Sequence, residues 1–378
     1  MAGAEIIDQA PQPTPRVVSG HILALRLFDI AYAIDLARAE QLWARHATDR
    51  TSRSRLSATQ PKSVSFGVPP LAVALDTILL DLGEEEVEAV VTARLYDFGT
   101  LSLALRVPTR DMAWADFTAR MNKVGQATGG GFWEPILVQL RGILREALVK
   151  PTPSTVWEDY LIASVRQFDT RILASDIPRG LDLIPLLSGE TRALSEGARA
   201  DLLRSRYSYY EDDLVILTWD RAFIVEPRGD NDVADVIEVA NAQLLQMRYY
   251  DERLDDELPR MYDLVEAARS RWNLVAARRY ANLARELTTL VAEVTELTEK
   301  VDNALQVTED VYLARIYATA LDLFRVPNFT RAVDRKLAII RDTYTSLYDE
   351  ASSIRSTLME AAILLLIFVE LILAVLRF

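Results

Sequence analysis

The sequence predicts an α+β protein: two β-α-β-β-α-like units, then an antiparallel helical or coiled-coil region and a C-terminal transmembrane helix. Three observations carry that expectation. Short runs up to Val225 alternate apolar and polar residues with a period of two. Beyond Asp232 this signal gives way to apolar residues spaced by four and three. The chain then closes on "LMEAAILLLIFVELILAVLRF", apolar in nearly every position.

Residues 17–28 predict a strand that places His21, Leu23, Leu25 and Leu27 on one face. A helix follows with Leu36, Ala39, Leu42 and Trp43 on one stripe, then a polar, basic loop from Thr48 to Ser63. After the apolar run Leu71–Leu82, "EAVVTARLYDFGTLSLALRVP" predicts two strands around Asp97–Gly99. The second alternates Leu101, Leu103, Leu105 and Val107 with polar or small residues, as a half-buried strand does. Pro108 is expected to end the hairpin, and a helix from Asp111 to Val124 closes this unit.

The order then returns. "WEDYLIASVRQF" predicts a strand, short helical pieces follow, and "DDLVILTWDRAFIVEP" predicts a hairpin turning near Asp220. A helix starts near Asp232, and Pro259 is a place for a kink. Leu283, Leu287, Leu290, Val294, Leu297 and Val301 form a heptad-like run. "RVPNFT" breaks the helix, and Asn328 or Thr330 is expected to cap the next one. That last helix has the most regular pattern: Val333, Leu337, Ile340, Tyr344, Leu347, Ala351, Ile354 and Leu358. Such a seam serves either a second copy of the chain or the Leu283–Val301 segment within one chain.

These readings divide the chain into a disordered tail (1–16), a first α+β unit (17–127), a helical connector (128–155) and a second α+β unit (156–247). A helical region (248–330), a coiled-coil stalk (331–357) and a transmembrane anchor (358–378) follow. The anchor is nineteen-odd residues from Leu358 to Leu376, roughly 28 Å of helix against a hydrocarbon layer of about 30 Å. Glu370 lies inside it. Three roles are open to such a group: a hydrogen bond across a helix contact, a position near the far headgroups, or a proton or ion site. The N-terminus has no basic patch followed by an apolar run, so it resembles neither a secretory signal nor a transit peptide. The expected location is therefore a prokaryotic inner membrane, with the N-terminal body in the cytoplasm.

Composition excludes several chemistries. The chain of 378 residues has a net charge of −13, which disfavours a general nucleic-acid binder. It has no cysteine and two histidines, His21 and His46, so thiolate sites and histidine-based metal or triad chemistry have little to draw on. Four local features remain. The glycine-rich Gly125–Trp133 loop lacks the Lys-Ser/Thr of a phosphate-binding loop. Asp251, Glu252, Asp255, Asp256 and Glu257 form an acidic cluster that reads as a solvated face rather than a cation site. Arg199, Arg204 and Arg206 with Tyr207, Tyr209 and Tyr210 have the composition of an RNA-stacking surface. Asp29, Asp35 and Asp97 are isolated acids near strand ends, and spacing shows no converging pair.

"LYDFGTLSLAL", "RYYDERLDDEL" and "YATALDLFRVPNF" leading into "LLLIFVELIL" resemble a known group from about Val17 onward. It is the domain-of-unknown-function family of the protein required for meiotic nuclear division and its mitochondrial inner-membrane relative. The resemblance implies a membrane-anchored, self-associating protein without an established enzymatic activity; this chain looks like a prokaryotic member.

The expected function is thus a membrane-anchored scaffold or interaction protein with no catalytic residue, cofactor or metal site. Its partners would be a lipid bilayer, an unidentified protein and other copies of the chain through Val333, Leu337, Ile340, Tyr344, Leu347 and Ile354, with Glu370 as the intramembrane polar group. The alternatives are an RNA- or ribosome-associated membrane tether, or a nucleotide-binding enzyme whose site joins residues distant in sequence.

Overall fold

The structure is a computed structural model that describes residues 15–49, 68–153, 156–269, 282–283, 285–296 and 310–376. The expected disordered tail, most of the Thr48–Ser63 loop, and Leu297 and Val301 of the heptad-like run lie outside the described residues. The described residues fall into two compact units. The first holds those up to Gln246 together with Asp310–Val326; the second holds Met247 onward and Pro327 onward.

In the first unit, β1 (Arg16–Asp29), β2 (Ala31–Ile34) and α1 (Leu36–Asp49) are followed by β3 (Leu71–Asp81), β4 (Glu86–Leu95) and β5 (Thr100–Ala113). Then come α2 (Trp114–Ala127), α3 (Glu134–Leu144), β6 (Leu148–Pro151) and β7 (Trp157–Phe168). Three short helices, α4 (Ile177–Gly180), α5 (Ile184–Ser188) and α6 (Glu196–Leu202), precede β8 (Arg206–Tyr207), β9 (Leu214–Leu217) and β10 (Arg221–Val225). The long α7 spans Asp232–Arg269; residues 285–296 form α8; α9 is Val311–Leu323 and α10 is Val326–Leu376.

One eight-stranded sheet runs β3-β4-β5-β1-β7-β10-β9-β8, and β2 pairs with β6 apart from it. Every pairing in the large sheet is antiparallel except β7 with β10. The expected pair of β-α-β-β-α-like units is therefore corrected to a mixed α/β architecture built on a single sheet. The cause is β1, which pairs with β5 on one edge and with β7 on the other, so both halves share one ladder. The halves also differ in polarity, because β1–β5 is antiparallel while β7–β10 is parallel.

Helices cover both sheet faces. Ile22, Ala24, Val91 and Leu103 share one core with Phe117, Met121 and Leu140 of α2 and α3. Leu23, Leu25 and Leu27 point the other way by strand alternation, and they too are buried. That second face belongs to α7: Gln246 Nε2 donates to Asp29 Oδ1 at 3.1 Å and to Thr100 Oγ1 at 2.8 Å. β5 also continues through Pro108 to Ala113, against expectation. Pairing with β4 stops at Arg106, so the missing proline N–H leaves no β4 carbonyl unsatisfied. Likewise α10 starts at Val326, before Asn328, with Pro327 in its first turn, where its absent donor costs nothing.

His21 on β1 is kept neutral. Burial first, and Arg106 second, lower its pKa to about 4. Because the folded value is depressed, this contribution to stability is complete above the ordinary histidine value and is lost as pH falls towards 4. His21→Gln is expected to flatten the fall in unfolding free energy between pH 6.5 and 4. The effect is on the order of 2 kcal/mol after allowance for partial exposure, read by chemical denaturation at stepped pH.

In the second unit, Tyr250, Leu254 and Met261 of α7, Leu287, Leu290 and Val294 of α8, and Val333, Leu337 and Ile340 of α10 are all buried. Lys336 Nζ reaches Asp251 Oδ1 at 2.6 Å and Asp255 Oδ1 at 2.7 Å, tying α10 to α7, and Arg253 meets Glu293 at 3.6 Å.

The expected transmembrane helix over 358–378 is corrected. Among the described residues no helix is long and apolar enough to cross a membrane. Glu360 and Glu370 interrupt the stretch, leaving the uncharged runs 361–369 and 371–376. These pieces are roughly 13 Å and 9 Å of helix, against about 30 Å of hydrocarbon. The tail-anchor and inner-membrane expectations fall with it; Glu370 lies on the exposed part of α10.

Candidate functional site

The expected chemistry-bearing residues mostly serve the fold. Asp35 caps α1, accepting from Arg38 N at 2.9 Å, while Asp29 accepts from Thr152 Oγ1 at 2.7 Å and from Gln246, so the two acids serve different partners. Asp97 sits in the β4–β5 turn, where its carbonyl accepts from Ile34 N at 2.9 Å. The glycine-rich loop is stapled by Trp133, whose Nε1 donates to Thr128 O at 2.8 Å. Its Thr128 and Gly129 amides donate back to carbonyls of α2. Two of the acidic-cluster carboxylates, Asp251 and Asp255, are occupied by Lys336. Among the described residues no group of three or more His, Cys, Asp or Glu side chains is placed to hold a metal ion.

The basic and aromatic stretch is also spent largely within the fold. Arg199 pairs with Asp182 at 3.5 Å, and Arg204 pairs with Asp201. The Tyr207 hydroxyl hydrogen-bonds Thr319 at 2.7 Å, and the amides of Tyr209 and Tyr210 both donate to Asp213 Oδ1.

Two features escaped the sequence. The first is a buried ionic cluster under α7. Arg94 donates to Glu238 Oε2 at 2.7 Å and to Asp235 Oδ1 at 2.9 Å, and Tyr96 Oη donates to Glu238 Oε1 at 3.1 Å. Burial alone would lower the Arg94 pKa, yet Glu238 and Asp235 hold it above the ordinary arginine value. Burial pushes Asp235 up, which Arg94 partly offsets.

The second is a cavity of about 260 Å³ lined in part by Asn122 and Gln126 of α2, Asp159 of β7, and Asp220 and Arg221 at the β9–β10 turn. Arg221 Nη1 donates to Asn122 Oδ1 at 2.6 Å and to Leu186 O at 3.0 Å. Asp220 Oδ2 stands 3.8 Å from Arg221 Nε, beyond hydrogen-bond reach. Next to it lies a wider groove of about 430 Å³ beside the exposed Trp219, rimmed by Glu190, Asp201 and Asp220. The only sequence signal was the polar pair Asp220–Arg221 interrupting an apolar hairpin, and it read as turn chemistry.

The assembly residues divide. Val333, Leu337 and Ile340 are buried within the second unit. Tyr344, Leu347 and Ile354 lie on α10, but their side chains are outside what the structure describes. Past them α10 is exposed: each residue from Ile363 to Val369 is apolar and open, with Leu364 67% and Leu366 66% exposed.

Residues 19–231, more than half of the chain, match the family described as "Uncharacterized protein MJ0711, N-terminal domain". The chain belongs to that family, whose function is unknown. It is 26% identical over 193 residues to the uncharacterized protein MJ0711 of Methanocaldococcus jannaschii, a match covering 51% of this chain and 58% of that relative. No solved structure matches. The matched segment contains the large sheet and the Arg221 cavity; α7 and everything after it lie beyond the family match.

Proposed function

We propose that the protein is a self-associating scaffold whose copies join through α10. One observation supports this above the others: seven consecutive apolar residues, Ile363 to Val369, are exposed, and at 100° per residue they point in every direction around the helix. A helix apolar on all sides is stable in water only when surrounded. A second copy of the same helix presents the same apolar stretch, so one sequence supplies both sides of the contact. Val333, Leu337 and Ile340 are already buried within the chain, so the intermolecular seam takes Tyr344, Leu347 and Ile354 as its near end. The finer likeness to the meiotic-division family rests on the quoted sequence stretches and agrees with self-association.

The test is the molar mass of the full chain by light scattering. The wild type is expected at a multiple of the monomer mass, and the triple variant Leu364→Gln, Leu365→Gln, Phe368→Gln at the monomer mass. A monomeric wild type, or a variant of unchanged mass, would overturn the reading.

A further inference from the structure

We propose that the cavity at the β9–β10 turn binds a small zwitterion, with its oxyanion on Arg221 and its ammonium group facing Asp159, Asp220 and the carbonyl end of α2. Arg221 carries the first half. Its side chain is only 13% exposed, its hydrogen-bonded acceptors are the neutral Asn122 and Leu186 O, and its Nε has no hydrogen-bond partner. Its hydrogen bonds are spent on neutral acceptors and Asp220 stands beyond hydrogen-bond reach, so guanidinium donors are left for an anion, and the planar fork suits a carboxylate, sulfonate or phosphate.

Its place is fixed from behind. Gly189 has φ of +69°, and a Cβ there would lie 2.3 Å from Arg221 Nη2. The hydrogen bonds to Asn122 and Leu186 O then hold the group against the cavity wall.

The same lining carries the second half. Asp159 comes from β7 and Asp220 from the β9–β10 turn, with side chains 58% and 33% exposed. α2 ends at Ala127, so the negative end of its dipole lies near Gly125 and Gln126, although its Val124 and Gln126 carbonyls already accept from Thr128 and Gly129. Burial raises the Asp220 pKa and the Asp159 charge adds to that, while Arg221 and the Thr218 hydroxyl partly offset the rise.

Charge balance selects the class of ligand. Arg26 pairs with Asp159 at 3.2 Å and stacks on Trp157, while Arg221 stands beside Asp220, so the two arginines match the two carboxylates. A lone anion would confront two carboxylates, and a lone amine would confront Arg221. Only a molecule carrying both charges meets each of these groups with its opposite, and about 260 Å³ sets its size near that of an amino acid.

The experiment is thermal shift and calorimetry on the full chain with O-phosphoethanolamine, taurine and β-alanine, against ethanolamine and inorganic phosphate alone. At least one zwitterion is expected to give a saturable rise in melting temperature that neither half reproduces. Asp159→Asn, which also takes the partner from the buried Arg26 and so lowers the unliganded melt, is expected to weaken binding at least tenfold when measured by calorimetry well below that melt, and Arg221→Gln to abolish it. No saturable shift with any of the three, an equal shift with phosphate alone, or unchanged binding by Asp159→Asn would overturn the proposal.

Discussion

Arg94→Met is expected to lower the unfolding free energy by about 3–5 kcal/mol at pH 7, the range for stripping one partner from a buried ion pair. The substitution keeps the length of the side chain but leaves Asp235 and Glu238, neighbours on α7, without their ion-pair partner, with Arg106 the remaining cation acting on Asp235. Tyr96 Oη still donates to Glu238, which satisfies one oxygen and neutralises nothing. The pH dependence gives the loss a signature. The Asp235 pKa is raised in the fold by burial, and Arg94 opposes that rise. A carboxyl raised in the folded state contributes stability below its unfolded value and loses it as pH climbs. Without Arg94 the rise is larger, so the gap between wild type and variant should narrow as pH falls from 7 towards 5. Denaturant titrations followed by tryptophan fluorescence at both values measure it. A gap independent of pH would show that Arg94 acts through packing alone.

Gly99→Ala is expected to cost about 3 kcal/mol or more, for two separate reasons. Gly99 has φ of +91°, a region that side chains with a Cβ disfavour. An added Cβ would also lie 1.8 Å from Ala31 O, a backbone atom that cannot swing aside. That approach is built into the turn: Ile30 N donates to Gly99 O at 3.0 Å and Ile34 N to Asp97 O at 2.9 Å, clamping the β4–β5 hairpin against the β1–β2 corner. The same melt on Gly83→Ala is the control, since Gly83 also has positive φ but nothing within 4 Å of the new Cβ. Equal losses at the two positions would mean that backbone strain, not the clash, sets the cost.

The strands of the first unit were legible because their periodicity is local. Leu101, Leu103, Leu105 and Val107 announce β5, and "WEDYLIASVRQF" coincides with β7. Their merger into one sheet was not legible, since the β1–β7 ladder joins residues far apart in sequence, such as Leu25 and Tyr160. The burial of α7 was hidden for a related reason. Glu238, Asn241, Gln243 and Gln246 are polar residues on α7, yet all are buried. The partner of Glu238 is Arg94, that of Gln243 is Tyr317, and those of Gln246 are Asp29 and Thr100. A polar residue looks exposed until its partner is found. Pro108 misled in the opposite direction, because a strand tolerates proline where pairing on one side has already stopped.

Of the candidate sites, the sequence exposed the C-terminal apolar stretch and the glutamate inside it, but assigned it a length that spans a membrane. The Arg221 cavity was out of reach. Asn122, Asp159 and Arg221 come from one helix and two strands, and no spacing rule links them.

Self-association through α10 is tested most directly by a single thiol. The chain has no cysteine, so Leu366→Cys places one sulfur on the exposed apolar stretch and Glu196→Cys places one on the exposed surface of α6. Under mild oxidation of the full-length chain, Leu366→Cys should be captured as a covalent dimer within minutes while Glu196→Cys stays monomeric. Monomer in both, or dimer forming equally slowly in both, would contradict assembly through α10.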